Sequence, residues 1–494
     1  MLLNADPDPN DLKGCPPLSV VALYGLQTFL LTVEIQCHPH LRFQVKSETV
    51  QAMKYDLFVI GAGPGGLVAA KQAAKYGAKV AIAERAHLGG TCTNLGCIPK
   101  KLMVYAADFA SLAETAEDYG WTKPTLEFNW QQFKQIRDRE LDRLRHVQQS
   151  ALEKQGVTII RGSAQLIDQH TIAVDDQKFT ADKILIAVGG KPAQPKISGI
   201  EHTITSDEMF QLDQLPKRLA IIGGGYIGVE FSSVMRGLGV EVTVMNREDC
   251  ILEGFDEMIS STVRQGLVDR GIQSLCNTTT DKIERVGNEI QLHLTGDRSD
   301  ILTVDTVLCA VGRAPNLENL GLETVGVEFD KKAIAVDEFS RTNIDNIYAV
   351  GDCTNRKQLT PVARAEGKAF AETVFNNQPT QIDSLIPSAV CSRPEAAMIG
   401  LTESEAREKY SDRIQCYQSE FTPLFETLTE RKSKSKVKYV VLDDRILGIH
   451  MVGEDATEII QGFSLAMKKG ITKAEIDAAI AIHPSSAEEL FSVD

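Results

Sequence analysis

Cys92 and Cys97 lie in the run Gly89-Gly90-Thr91-Cys92-Thr93-Asn94-Leu95-Gly96-Cys97-Ile98-Pro99-Lys100-Lys101. Two thiols that can meet store two electrons and release them by closing a disulfide. On an ideal helix, residues five apart have Cα atoms about 8–9 Å apart. A disulfide needs less than about 7 Å. A bridge therefore requires a distorted turn, which Asn94 and Gly96 permit. Two other readings stand beside it. A zinc site wants four ligands, usually at closer paired spacing, and no second pair appears. Two buried structural cysteines need no chemistry at all. Near the C-terminus stands Ile482-His483-Pro484-Ser485-Ser486-Ala487-Glu488-Glu489. A departing thiolate needs a proton donor, and histidine has a suitable pKa. Glu488 can orient that imidazole, although Ser485-x-x-Glu488 is also a helix capping box that explains the glutamate without catalysis.

The elements that must position these residues are legible as two nucleotide-binding units. Tyr55 to Ile60 is a short apolar strand ending at Gly61. Gly61, Gly63 and Gly66 form G-x-G-x-x-G and open a helical stretch to Gly77; Lys79 to Ala83 is a second strand, ending at Glu84. Such a turn admits a pyrophosphate to the backbone and the helix N-terminus, and the acid accepts hydrogen bonds from a ribose. The second unit has a strand Leu219 to Ile222, then Gly223, Gly225 and Gly228, then a strand Val240 to Met245. At the position of the acid stand Asn246 and Arg247. Loss of the carboxylate and gain of a guanidinium favour a 2′-phosphate, hence NADP over NAD, with Glu248, Asp249 and Glu253 pulling the other way. Two different dinucleotides in one chain suggest FAD plus a nicotinamide cofactor. Apolar runs at Ile184–Gly190, Val307–Arg313 and Asn346–Asp352 imply that the second unit is inserted in the first. The remainder, from about residue 384, mixes β-rich and helical runs and reads as a dimerisation or substrate domain.

The chain has 494 residues and a formal net charge of −15, which argues against a nucleic-acid or anionic membrane surface. An anionic substrate then needs a local cluster of cations. Arg431 to Lys438 is a cationic run, expected as a solvated turn and strand edge. Ten scattered cysteines are no secreted disulfide framework and fit a reducing compartment such as the cytoplasm. Residues 1–53 do not match the rest. Gly14 to Val33 carries no charge, but Asp6, Asp8, Asp11 and the interrupting Pro16, Pro17 and Gly25 argue against an anchor or signal peptide. The segment is expected to be a disordered or misassigned extension, with Met53 as a start residue.

With these residues assembled, the chain from about residue 54 onwards resembles the class I pyridine nucleotide-disulfide oxidoreductases, and most of all their glutathione reductase branch. The resemblance rests on both glycine fingerprints, G-G-T-C-T-N-L-G-C-I-P-K-K, A-V-G-R-A-P-N at 310–316, A-V-G-D at 349–352 and H-P-S-S-A-E-E at 483–489. Lys100-Lys101 after C-I-P is similar to glutathione and trypanothione reductases; lipoamide dehydrogenases, the alternative, usually have Ser-Lys. Val68 lacks the acid of trypanothione enzymes.

The resemblance implies an α/β fold with two Rossmann-like dinucleotide-binding domains and a C-terminal α+β dimerisation domain. An FAD domain at 54–190 and 314–383 would hold an inserted NADP domain at 191–313, with 384–494 for dimerisation. It implies NADPH-dependent reduction of glutathione disulfide by a homodimer with no metal. Cys97 would be the charge-transfer thiol and Cys92 the interchange thiol. His483, from the partner subunit, would be the acid held by Glu488. Lys100 and Glu230 match an ion pair beside the flavin. Gly65, Thr91, Thr360, Glu84 and Asp352 join the FAD site, and Tyr226 covers the nicotinamide pocket. Lys71 and Lys368 stand where cations meet the substrate. Gly228 replaces an alanine common in NADPH-specific members, Glu253 replaces a second phosphate-binding arginine, and the helix around Gln148 lacks a tyrosine that some members stack near the substrate.

Overall fold

The computed structural model describes residues 53–122, 126–354 and 356–493. The expectation for the segment before Met53 lies outside the described residues. The first sheet is centred on strand Met53–Ile60, in which Leu57, Phe58, Val59 and Ile60 are all buried. Four consecutive buried apolar residues require cover on both faces of the sheet. On one face lie Leu67, Ala69 and Ala70 of helix Pro64–Lys75 with Phe370 of helix Thr360–Phe375; on the other lie Phe179, Leu322 and Val327. The strand order runs Thr158–Arg161, Val80–Glu84, Met53–Ile60, Gln177–Ile186. Ile347–Ala349 pairs in parallel with the C-terminal end of Gln177–Ile186, and Thr171–Val174 pairs antiparallel with its N-terminal end.

The second sheet is fully parallel, in the order Gln273–Leu275, Glu241–Met245, Arg218–Ile222, Thr306–Cys309. An antiparallel sheet of Thr278–Val286, Glu289–Gly296 and Ile301–Val304 packs Ile283, Leu292 and Val304 against Ile222 and Met245. The chain leaves the first sheet after Ile186 and rejoins it at Ile347, so the second unit is inserted in the first. The outgoing strand Gly190–Pro192 and the returning strand Arg313–Pro315 pair with each other. Two hydrogen-bonded passes constrain the joint more than a single linker would.

The third sheet is antiparallel: Ser388–Val390, Ala396–Gly400, Arg445–Val452, Ser435–Leu442, Ile414–Phe421. This corrects the reading of the cationic run. Arg431 to Lys434 are exposed, but Ser435–Leu442 has a neighbour on each side and is no edge. Lys438 is buried, with Nζ 2.9 Å from Asp256 and 2.6 Å from Glu403. An ammonium inside a sheet layer is tolerated only when carboxylates replace its water, and those two come from residues far away in sequence.

The second glycine turn is tight. Helix Tyr226–Gly237 approaches it so closely that a Cβ at Gly228 would lie 2.0 Å from the Gly223 carbonyl oxygen. That atom is backbone and cannot rotate away. Gly228→Ala is expected to push the helix off the sheet and cost about 1–3 kcal/mol of stability, read as a lowered midpoint in denaturant unfolding; an unchanged midpoint would show that the turn has slack.

Candidate active site

The cysteine pair straddles a helix break. Gly89, at φ +98°, starts the short helix Gly90–Asn94; the chain breaks at Leu95-Gly96, and Cys97 opens helix Cys97–Thr115. This is the distorted turn that a C-x4-C pair requires. Asn94 holds it: its amide donates to the Leu88 and Gly90 carbonyls at 3.1 and 2.8 Å, and its Oδ1 accepts from Arg145 Nε at 2.7 Å. Arg145, on helix Trp130–Glu153, carries no motif signal and is not legible from the sequence.

Both cysteines are free thiols, hydrogen-bonded to each other. Sharing one proton splits them. Cys97 is pulled down to about 6 by the bond from Cys92, against burial, with help from the Thr360 hydroxyl and the Lys100 ammonium. Its position at a helix N-terminus acts in the same sense. Thr360 Oγ1 is 3.6 Å from Cys97 Sγ. Cys92 is pushed up, by the same shared bond and by burial.

Lys100 follows one turn after Cys97. Its Nζ is 2.6 Å from Glu230 Oε1, and both side chains are largely buried. Burial alone would lower Lys100; the Glu230 carboxylate outweighs it and holds the ammonium above its usual range. The same Glu230 oxygen accepts from the Cys391 backbone N at 2.8 Å.

One cleft of about 1800 Å³ brings together Gly61, Gly63, Gly65, Glu84, Thr91, Cys92, Cys97, Lys100, Tyr226, Glu230, Asp352 and Thr360. Its shape fits a dinucleotide. Only the Gly90 Cα comes near a Cβ placed on Gly63, and helix Pro64–Lys75 has no side-chain cap, which leaves its first N–H groups for a phosphate. Glu84 bonds the Ala62 and Ala86 N–H groups at 2.8 Å each. Burial raises the Asp352 carboxyl, with Arg313 Nε 3.8 Å away opposing it. Gly66 lies behind the turn against Gly61.

The second turn is similarly open: nothing lies within 4 Å of a Cβ on Gly225, and helix Tyr226–Gly237 also lacks a side-chain cap. Asn246 is engaged in the protein, accepting from Gly224 N at 3.2 Å and donating to the Cys250 carbonyl at 2.5 Å. Arg247 is 81% exposed and paired with Glu248 at 2.8 Å, a contact it can exchange for a phosphate.

The remaining expected residues lie outside this cleft. Lys71 and Lys368 sit on helices Pro64–Lys75 and Thr360–Phe375. His483 is 80% exposed, with Nδ1 2.8 Å from Glu488 Oε2. Glu488 Oε1 accepts from Ser485 N, and Ser485 Oγ accepts from Glu488 N, both at 3.2 Å. The capping contacts and the histidine contact therefore coexist, on different oxygens of one carboxylate.

With two glycine turns around a dithiol in place, the family comparison is decisive. The profile of the pyridine nucleotide-disulphide oxidoreductases matches residues 55–367, and that of their dimerisation domain matches residues 386–492. The chain belongs to this family. It is 48% identical over 454 residues to a glutathione reductase of Nostoc sp., covering 89% of this chain and 99% of that relative. A Burkholderia cepacia glutathione reductase is 43% identical over 449 residues, covering 90% and 99%. A chloroplastic/mitochondrial glutathione reductase of Pisum sativum is 39% identical over 476 residues, covering 92% and 86%.

The electrostatics make a pH prediction within this family site. Alkylation of Cys97 in the reduced protein is expected to follow its thiolate, present above about pH 6 and lost as the pH falls through that value. Lys100→Met removes a cation that favours the thiolate, so the midpoint should move up. It also strands the Glu230 charge, at a cost of about 3–5 kcal/mol. Rates of iodoacetamide labelling against pH, with an unfolding curve, check both; an unmoved midpoint would remove Lys100 from the thiol's control.

Proposed function

We propose that this chain is an NADPH-dependent FAD enzyme that reduces glutathione disulfide to glutathione through a Cys92–Cys97 redox disulfide. The observation that carries this reading is the acidic Cys97 thiol opening into the cleft of the first glycine turn, paired with Cys92. FAD would rest on Gly61, Gly63, Gly65, Glu84, Thr91, Asp352 and Thr360, and its chemistry there is a two-electron relay from NADPH to the disulfide.

The residues then act as follows. Cys92 gives its proton to the imidazole of the partner's His483 and attacks one sulfur of glutathione disulfide; a mixed disulfide forms and one glutathione thiolate leaves. The partner's His483 gives that thiolate a proton, with Glu488 holding the imidazole through Nδ1. Cys97 then attacks the Cys92 sulfur, releasing the second glutathione and closing the Cys92–Cys97 disulfide. Lys100, with Glu230 behind it, keeps Cys97 in its thiolate form. Lys71 and Lys368 meet the substrate's carboxylates. Tyr226, at the start of the helix that carries Gly228, would cover the nicotinamide end.

A homodimer completes this site. His483 does not line the chain's own cleft, and Ile480 and Ile482 beside it are 97% and 80% exposed, an apolar edge that a second copy would cover. Among the described residues no helix is long and apolar enough to cross a membrane. The eight described cysteines are all free, which suits the cytoplasm. An NAD-dependent lipoamide dehydrogenase is disfavoured by Lys100 and Asn246.

The test is steady-state oxidation of NADPH and NADH with glutathione disulfide, lipoamide serving as control. NADPH with glutathione disulfide should be the fast pair; NADH with lipoamide alone would overturn the reading. Partner-subunit chemistry predicts that His483→Gln lowers kcat by about 10²–10⁴-fold, with reduction of the flavin by NADPH intact in stopped flow. Arg247→Leu should raise the KM for NADPH about tenfold or more while leaving NADH unaffected, since a charge-assisted phosphate contact is lost; equal effects on both would place the phosphate elsewhere.

A further inference from the structure

The helix Thr360–Phe375 carries a stripe of residues four apart: Thr360, Arg364 and Lys368. Thr360 touches Cys97 at 3.6 Å. Arg364 and Lys368 follow at about 6 Å per step along the axis, and both are exposed. This helix is locked to helix Pro64–Lys75, since a Cβ on Gly367 would lie 2.3 Å from the Gly65 carbonyl oxygen. Arg364 is near enough to Lys71 to act on its charge: the ammonium is lowered by burial first and by Arg364 and Lys75 after it. Arg364 is also the cation that favours the Cys92 thiolate, working against burial and the shared proton. Among the described residues no carboxylate pairs with Arg364 or with Lys71. On a chain of net charge −15, two cations that act on each other, one of them also acting on a thiol, draw an anion to that side of the cysteine pair. Arg364 itself does not line the dinucleotide cleft.

We infer that Arg364 is a substrate-recognition residue, binding a carboxylate of the incoming disulfide between Lys71 and Cys92. This rests on the glutathione-disulfide reading for the identity of the ligand, but not for the existence of the site. A guanidinium offers a two-pronged match to a carboxylate that an ammonium lacks. Lys71 and Lys368 supply charge on either side, while Arg364 supplies direction next to the attacking sulfur.

The experiment compares R364Q and R364K with the unsubstituted holoenzyme. The first readout is the ratio of kcat/KM for glutathione disulfide to that for the same disulfide with its carboxylates esterified. R364Q should lower this ratio about tenfold, mainly through KM, the scale of one charge-assisted hydrogen bond. R364K should restore part of it. A fall shared equally by acid and ester, or no fall, overturns the inference. The second readout needs no turnover. Cys92 in the NADPH-reduced holoenzyme is alkylated with anionic iodoacetate and neutral iodoacetamide. R364Q should lower the iodoacetate-to-iodoacetamide rate ratio several-fold; an unchanged ratio overturns the anion site. If the unsubstituted enzyme ignores glutathione disulfide yet R364Q still lowers the alkylation ratio, the substrate reading fails and the anion site stands.

Discussion

The Lys100–Glu230 ion pair is the contact on which the rest of the site depends. Lys100 belongs to the helix that begins at Cys97, Glu230 to the helix that follows the second glycine turn, and Glu230 also accepts the Cys391 N–H from the third sheet. Three parts of the fold thus meet at one carboxylate. A buried pair of this kind gains little net stability, because desolvation offsets the Coulomb attraction. Its value is positional: neither charge can move without leaving the other unpaired in a low-dielectric setting. Neighbouring contacts repeat the link between the same helix and the third sheet, with Arg393 bonded to Asp108 at 2.6 Å and Lys101 to Glu395 at 3.2 Å. The helix bearing Cys97 is therefore fixed at its start and along its length.

The electrostatics divide the labour between the two thiols. Lys100 and the helix N-terminus serve Cys97, which faces the dinucleotide cleft; Arg364 serves Cys92. Two sulfurs sharing a proton cannot both be thiolates, so oxidation state and proton position decide which one is nucleophilic. An overall acidic chain then needs only a few unpaired cations to attract an anionic disulfide.

The two glycine turns share a backbone plan and differ in charge. At the first, Glu84 is fixed by two backbone N–H groups and presents a carboxylate toward the dinucleotide. At the second, Asn246 holds the turn through Gly224 and Cys250, while Arg247 stands free at the surface beside Glu248. The amide does the structural work of the acid without its repulsion of a phosphate. Gly228 belongs to this packing as well, since the helix has closed over the space an alanine would need.

Local pattern was sufficient wherever the determinant lay within a few residues. The strands beginning Tyr55, Lys79, Leu219 and Val240 fall within a residue or two of those observed, because consecutive apolar residues bounded by glycine have few other structures available. The need for a break between Cys92 and Cys97 followed from helix geometry alone. The antiparallel extension at Gln177–Phe179 and the internal strand at Ser435–Leu442 did not, as pairing partners decide them. By itself the sequence determined the reactive groups, the phosphate turns and the charge at each ribose, all set by residue type and short spacing. Only the tertiary structure decided that Lys438 is buried, that Arg145 locks Asn94, that one carboxylate serves both His483 and a cap, and that the charge of Arg364 reaches Lys71 and Cys92. Burial and the fields of unlike chain segments act through space, and spacing along the chain carries no record of them.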